Sequence, residues 1–360
     1  LPIWPEQLKQ ARADYEAHKI TAAELDKVTD EKIKQLVEKQ VAAGLDIITD
    51  GEFRRSYWHL DNFWGFGGVE RFKFGEGYRF AHEETRDDSA RLTGRLTFDA
   101  EVHPFIQQFV FLKKLADQHG VAAKITLPAP AQFYAELVRG DNAARVVKYY
   151  DNYETLYDDI KRVYHEEMLA LYEAGARTIQ LDDCTWGMLV DPKFWSLMAG
   201  DDFDAHTIKQ IYLDLNNGAI AGLPDDLVIN THICRGNYHS DWAATGGYDA
   251  VAEPLFTQEN VANYFLEYDT ARSGSFEPLA KVSGNKCVVL GLVTTKSGEL
   301  EDRQTIIDRI HDASKYLPLS RLWLSTQCGF ASTEEGNVIT EAQQWAKLAY
   351  VKSIIDEVWQ

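Results

Sequence analysis

Seven short runs along the chain carry β-branched or large apolar residues at nearly every position. They are 45–49 (LDIIT), 124–127 (KITL), 178–181 (TIQL), 227–231 (LVINT), 264–267 (YFLE), 288–293 (VVLGLV) and 322–325 (LWLS). Runs of this kind, without strict alternation, mark parallel strands covered on both faces. Between them lie longer stretches with helical spacing. One is expected to start at a Thr29-Asp-Glu cap and run to Gly44, a second covers 153–174 and stops at Gly175, and a third covers 302–314. The alternation predicts an α/β chain on a parallel sheet, either closed as a barrel or open and doubly wound. Seven strands are one short of a (β/α)8 TIM barrel. Because the chain opens almost directly into a helix at Pro5-Glu-Gln-Leu, the first strand is expected in sequence preceding Leu1. Residues 62–101, mixing Gly, Phe and charge, read as an insertion or hairpin after the second barrel strand. With no dividing linker, residues 1–360 are expected to form one domain, within the range of a single barrel of roughly 250 residues or more.

Composition narrows the partners more than the fold. The chain is 45% hydrophobic, enough for a substantial core, yet no run of about 18 apolar residues could span a membrane. The N-terminus shows no basic-then-apolar pattern of a secretion signal. A formal net charge of −19 argues against nucleic acid and against anionic membranes. A cytoplasmic location is expected. Four cysteines, Cys184, Cys234, Cys287 and Cys328, are too few for a disulfide framework in a chain this long. Each is core, reactive or metal-bound.

In a barrel, chemistry gathers where strands end. Here those ends read Asp50-Gly51-Glu52, Asp182-Asp183-Cys184, His232-Ile233-Cys234, Glu267 and Gln327-Cys328-Gly329. Residues two apart in a strand point the same way, so His232 and Cys234 can grip one ion. Glu267 and Cys328 add an oxygen and a second sulfur, completing a tetrahedral set suited to zinc. A displaceable carboxylate among the ligands is a catalytic pattern more than a structural one. The plainer alternative makes both cysteines core thiols and Glu267 a helix cap. It requires three strand ends to carry ligand types by coincidence.

The segments THICRGNYHSDW, FLEYDTARSGSFEPL, GLVTTKSGELEDR and STQCGFASTEEGN, together with DGEFRRSYW and IQLDDCTWG, resemble six blocks of cobalamin-independent methionine synthase. The likeness is to short, single-barrel relatives of its catalytic half, and it covers nearly the whole chain in the family's order. It implies a zinc-dependent (β/α)8 methyltransferase that moves a methyl group onto the thiol of homocysteine, giving methionine. The donor it implies is 5-methyltetrahydrofolate. Carried over by position, His232, Cys234, Glu267 and Cys328 match the zinc ligands, and Glu52 and Asp182 match the acids that hold the homocysteine amino group. For each acid the alternative is a strand-end carboxylate capping the next helix.

Two departures from the family stand out. Its long members place a proton-donating histidine after the strand matching 288–293. GLVTTKS puts Lys296 in that slot, as a candidate catalytic residue whose alternative is a solvated surface lysine. The family's Gly-Ser loop, which holds the homocysteine carboxylate, has no counterpart before PEQLKQAR. The donor therefore stays open, with a sulfonium or a methylated corrinoid beside a folate. Tyr57, Trp58, Phe63, Trp64, Phe133 and Tyr134 read as a pterin stack or as core, and Arg54, Arg55 and Arg235 as contacts to a carboxylate or folate tail.

Two rival readings remain. One is a metal-independent barrel hydrolase or lyase with Asp182 and Glu52 as acid and base, which leaves His232, Cys234 and Cys328 unexplained. The other is a non-catalytic barrel that binds zinc or amino acids. The expected partners are homocysteine and a methyl donor, with no nucleic acid and no membrane, and homo-oligomerisation is left open.

Overall fold

The seven apolar runs all become strands, in parallel. The computed structural model describes residues 2–193 and 204–359. β1 (Ile47–Ile48) is followed by a hairpin of β2 (Gly67–Lys73) and β3 (Asp88–Thr97), then by β4 (Ala122–Ala123) and β5 (Ile125–Pro128), separated by Lys124 alone. β6 (Thr178–Asp182), β7 (Val228–Ile233), β8 (Asn263–Glu267), β9 (Cys287–Val293) and β10 (Leu322–Thr326) complete the set. β5 to β10 lie side by side in chain order, every pair parallel. β1 pairs with β4, so the 122–128 stretch joins β1 to the six-stranded sheet.

Alternate residues divide the strands between two environments. Ile125, Leu127, Ile179, Leu181, Ile229 and Leu266 belong to one hydrophobic core that extends from Trp4 to Ile354. Many of the intervening positions are polar and meet each other across strands. Asn263 donates to Asn230 at 2.7 Å, and Lys124 donates to Gln180 at 3.0 Å.

Among the described residues no eighth strand lies between β10 and β1. The loops after those two strands meet instead. Trp58 N–H donates to the Ser332 carbonyl at 3.0 Å, and Glu334 N–H donates to the Ser56 carbonyl at 3.2 Å. Tyr57 and Thr333 form an antiparallel bridge between them.

The expected insertion is the β2–β3 hairpin, antiparallel, with Lys73 opposite Asp88. The first expected helix starts earlier than read. α1 (Glu6–Glu16) precedes α2 (Ala22–Ala42), whose cap is Thr21 with Glu24 in a reciprocal capping box. Thr29 lies inside α2, and its hydroxyl donates back to the Leu25 carbonyl at 2.9 Å, a local alternative that a hydroxyl offers equally in mid-helix. Gly44 ends this unit with φ +79°, a left-handed conformation that favours glycine. The other helices are α3 (Leu60–Phe63), α4 (Pro104–His119), α5 (Pro130–Leu137), α6 (Ala143–Tyr149), α7 (Tyr153–Glu173), α8 (Cys184–Leu189), α9 (Ala205–Ile220), α10 (Ala252–Gln258), α11 (Arg303–Ala313) and α12 (Glu341–Val358). None in the described residues is long and apolar enough to cross a membrane.

Candidate metal centre

The end of β7 sends His232 and Cys234 to one side, while Ile233 between them is buried in the core. His232 donates from Nδ1 to the Phe265 carbonyl on β8 at 3.0 Å. That bond leaves Nε2 as the free nitrogen, the usual arrangement for a ligating imidazole. Nε2 lies 3.0 Å from the Cys328 sulfur, which is 3.2 Å from the Cys234 sulfur. The three donor atoms all stand within 4.8 Å of one another.

Cys328 reaches this point from the far end of the sheet on a pinned loop. Gln327 N–H donates to the Val293 carbonyl, and the Gln327 side-chain oxygen accepts from Thr295 N–H at 2.6 Å.

A third sulfur stands close by, and the sequence reading missed it. Cys184 opens α8, and one turn later Gly187 presses on the Cys234 carbonyl, so closely that a Cβ there would fall 1.9 Å from its oxygen. Residues three apart share a helix face, so Cys184 also faces Cys234. Hydrogen bonds from Cys184, Cys328 and His232 hold the Cys234 thiol well below the usual range, against its burial. The Cys234 sulfur in turn pushes Cys184 and Cys328 up. The sulfurs thus compete for charge, the ionised form of Cys234 being favoured over those of its two neighbours. A divalent cation among them would let a second thiol ionise. One imidazole nitrogen and two sulfurs, with a carboxylate alongside, is a donor set that fits zinc.

Glu267, the fourth expected ligand, ends β8 fully buried but is not in the three-atom group. Its Oε2 accepts from Arg235 N–H at 2.7 Å, and its Oε1 accepts from Arg272. Lys296 Nζ lies 4.0 Å from Oε1. The Lys296 side chain is only 10% exposed and its Nζ finds no hydrogen-bond partner. It is therefore no solvated surface lysine. With Trp242, Asp269, Arg272 and Thr294 it lines a cavity of about 360 Å³.

The two acids expected to bind an amino group sit on the other side of His232. Asp182 and His232 are register partners on β6 and β7. Asp182 caps nothing. The cap of α8 is Asp183, whose carboxylate accepts from Thr185 N–H at 2.9 Å. The Asp182 Oδ1 accepts from Gln180 at 2.7 Å. Burial raises the Asp182 carboxyl most, His232 opposes this, and the nearby Glu52 adds to it. Glu52 stands in a left-handed conformation, φ +54°, held by Asp50 accepting its N–H at 2.8 Å. Its carboxylate accepts from Thr126 at 2.6 Å and pairs with Arg55 at 3.3 Å. Two carboxylates that repel each other across a half-buried space favour a cation between them.

The arginines are otherwise employed. Arg54 pairs with Asp30, and Arg235 is buried against Tyr248 and the Gly246 carbonyl. Of the aromatic candidates, Tyr57, Phe63, Phe133 and Tyr134 are core residues, and Phe63 stacks on Phe133 with centroids 4.6 Å apart.

The family model for the catalytic domain of cobalamin-independent synthase matches residues 4–62 and 142–350. The Bacillus subtilis uncharacterized protein YxjH is 42% identical over 98% of this chain and 91% of its own length. A methionine synthase of Saccharolobus solfataricus is 22% identical over 90% of the chain and 84% of its own length. The crystal structure of a Listeria monocytogenes protein, provisionally named a vitamin-B12 independent methionine synthase, superposes with a TM-score of 0.75. It is 35% identical, covering 100% of this chain and 96% of that one. The matched segments include every block that carries the His-Cys-Cys group, and the chain belongs to the catalytic-domain family of cobalamin-independent methionine synthase, among its single-domain relatives.

Proposed function

We propose that this chain is one catalytic barrel domain, spanning 1–360, that transfers a methyl group to the thiol of homocysteine to form methionine. The observation that carries this reading is the pairing of Asp182 with His232 on neighbouring strands. On this reading Asp182 takes a substrate ammonium beside the position where His232 helps hold a substrate sulfur. Asp182 and Glu52 bind the ammonium and so orient the acceptor, which removes much of the entropic cost of the encounter. His232, Cys234 and Cys328 hold zinc, with Glu267 as the exchangeable fourth ligand. Bound there, zinc supplies Lewis acidity that favours the thiolate of an acceptor whose free thiol pKa is about 8.5. Arg272, which already bonds Glu267, would keep that carboxylate paired if zinc were to bind the acceptor sulfur instead. Lys296, whose Nζ has no hydrogen-bond partner, presents positive charge to the adjoining cavity, which suits the anionic portion of a folate donor, and 5-methyltetrahydrofolate is the donor proposed.

The test is zinc content of the purified protein, followed by X-ray absorption with and without homocysteine. One zinc per chain that gains a sulfur neighbour on adding homocysteine is expected. A zinc-free protein, or a metal shell indifferent to the thiol, overturns the proposal and favours chemistry by the acids alone.

A further inference from the structure

Lys124 interrupts an otherwise apolar stretch, at the single residue between β4 and β5. Its side chain turns to the polar face of the sheet, where Nζ stands 5.2 Å from the centroid of the Phe265 ring. It donates to Gln180 Oε1 at 3.0 Å, and Gln180 Nε2 donates onward to Asp182 Oδ1 at 2.7 Å. Gln180 is itself buried. Among the described residues, Gln180 is the only side chain that hydrogen-bonds to Asp182.

The chemistry of the three groups fixes their order. An ammonium only donates, an ionised carboxylate only accepts, and an amide does each at one end. With Lys124 on one side and Asp182 on the other, the amide has a single satisfactory orientation. Flipping it would set NH2 against ammonium and carbonyl oxygen against carboxylate. The lysine therefore determines which end of Gln180 faces Asp182, and the amide determines how the carboxylate stands. Hydrogen bonds to charged groups at both ends make this line stiffer than a neutral one.

We propose that Lys124 is a positioning residue that, through Gln180, aims the Asp182 carboxylate and so makes the site select acceptors bearing an α-ammonium group. The inference rests on the amino-acid thiol site proposed above. Lys124 touches no reacting atom; its hydrogen bond reaches Asp182 through Gln180, while its charge also faces Asp182 and Glu52 directly.

The test compares two ligands on the zinc-loaded protein by calorimetry: methionine, and the thioether carboxylic acid of the same length that lacks the amino group. Lys124→Met and Gln180→Met should each weaken methionine binding by about tenfold or more, the scale of one hydrogen bond to a charged group. Binding of the deaminated ligand should stay unchanged. The double variant should bind methionine no more weakly than either single one, because both remove the same line of contacts. Equal losses for the two ligands, or additive losses in the double variant, would make Lys124 a support of the barrel and overturn the inference. Retention of the methionine preference in both single variants overturns it as well. A wild-type protein with no preference for methionine over its deaminated analogue overturns the proposed site itself, an outcome read before any variant is made. If Lys124→Met does not fold, Gln180→Met carries the same expectation alone.

Discussion

Arg272 holds the Glu267 carboxylate, the oxygen donor expected to complete a four-ligand zinc set. Glu267 is fully buried and Arg272 nearly so, which makes the pair costly to break from one side. On the proposed function, Glu267 would have a second partner if it left a metal, so exchange at the fourth position need not strand a buried anion.

Replacing Arg272 with Gln removes that second partner. The metal-free variant should lose about 3 kcal/mol of stability, the low end for removing one partner of a buried ion pair, since the Arg235 N–H and Lys296 remain. Zinc should restore much of it, because the metal then becomes the main cation near Glu267. Urea unfolding with and without zinc reads both effects. A variant as stable as wild type without metal would show that Arg272 does not hold Glu267 in solution.

Cys328→Ser should abolish zinc retention and methyl transfer while the chain stays folded. The Cys328 side chain is only partly buried and lies outside the continuous apolar core. Metal analysis together with circular dichroism decides the matter. Collapse of the fold would make the site structural rather than catalytic.

Asp182→Asn keeps the shape of the side chain and its contact with Gln180 but deletes the charge. Zinc content should be unchanged, and homocysteine affinity should fall by about 10- to 100-fold, as expected for a charge-assisted contact. Calorimetric titration measures it. Unaltered affinity would remove Asp182 from the ammonium site.

Away from this centre, Glu167 on α7 is fully buried, accepting from Asn62 at 2.6 Å, with its second oxygen unpartnered. Burial pushes its carboxyl up to about 8, against the Asn62 hydrogen bond and Arg55. The folded chain thus keeps a proton that the unfolded chain releases near its ordinary value of 4.5. The associated stability is fully present below that lower value and is lost as pH rises through about 8. The slope reaches about 1.4 kcal/mol per pH unit for one such group. Glu167→Gln, which mimics the protonated form, should flatten this dependence in unfolding experiments at pH 5, 7 and 9. Parallel curves for the two proteins would contradict the assignment.

The strand order and the strand-end chemistry were legible because both follow from local pattern. Apolar runs gave seven strands, and a two-residue spacing placed His232 with Cys234. Four things were not legible. The Thr29 start of α2 competed with the capping box at Thr21, and a hydroxyl suits either position. Cys184 gave its cue only as the last residue of an Asp-Asp-Cys strand end, and its approach to Cys234 depends on Gly187 admitting α8 so closely. The fate of Glu267 depended on Arg272 and on the Arg235 N–H, partners chosen by loop conformation rather than by spacing. Lys124 and Gln180 were hidden inside runs read for their apolar members. Their neighbours Ile125 and Ile179 made the strand, and they themselves line its other face.

Cys328 and Glu52 each stand four residues before the place where their two loops are stitched together, at Ser332 and Ser56. The sulfur end and the ammonium end of the proposed site are therefore the tips of two short arms riveted at a common joint. A pair of arms so joined works as a calliper with one setting. On the proposed function, that setting measures acceptor length. Cysteine, one methylene shorter than homocysteine, would be refused by its reach although it carries every group the site recognises.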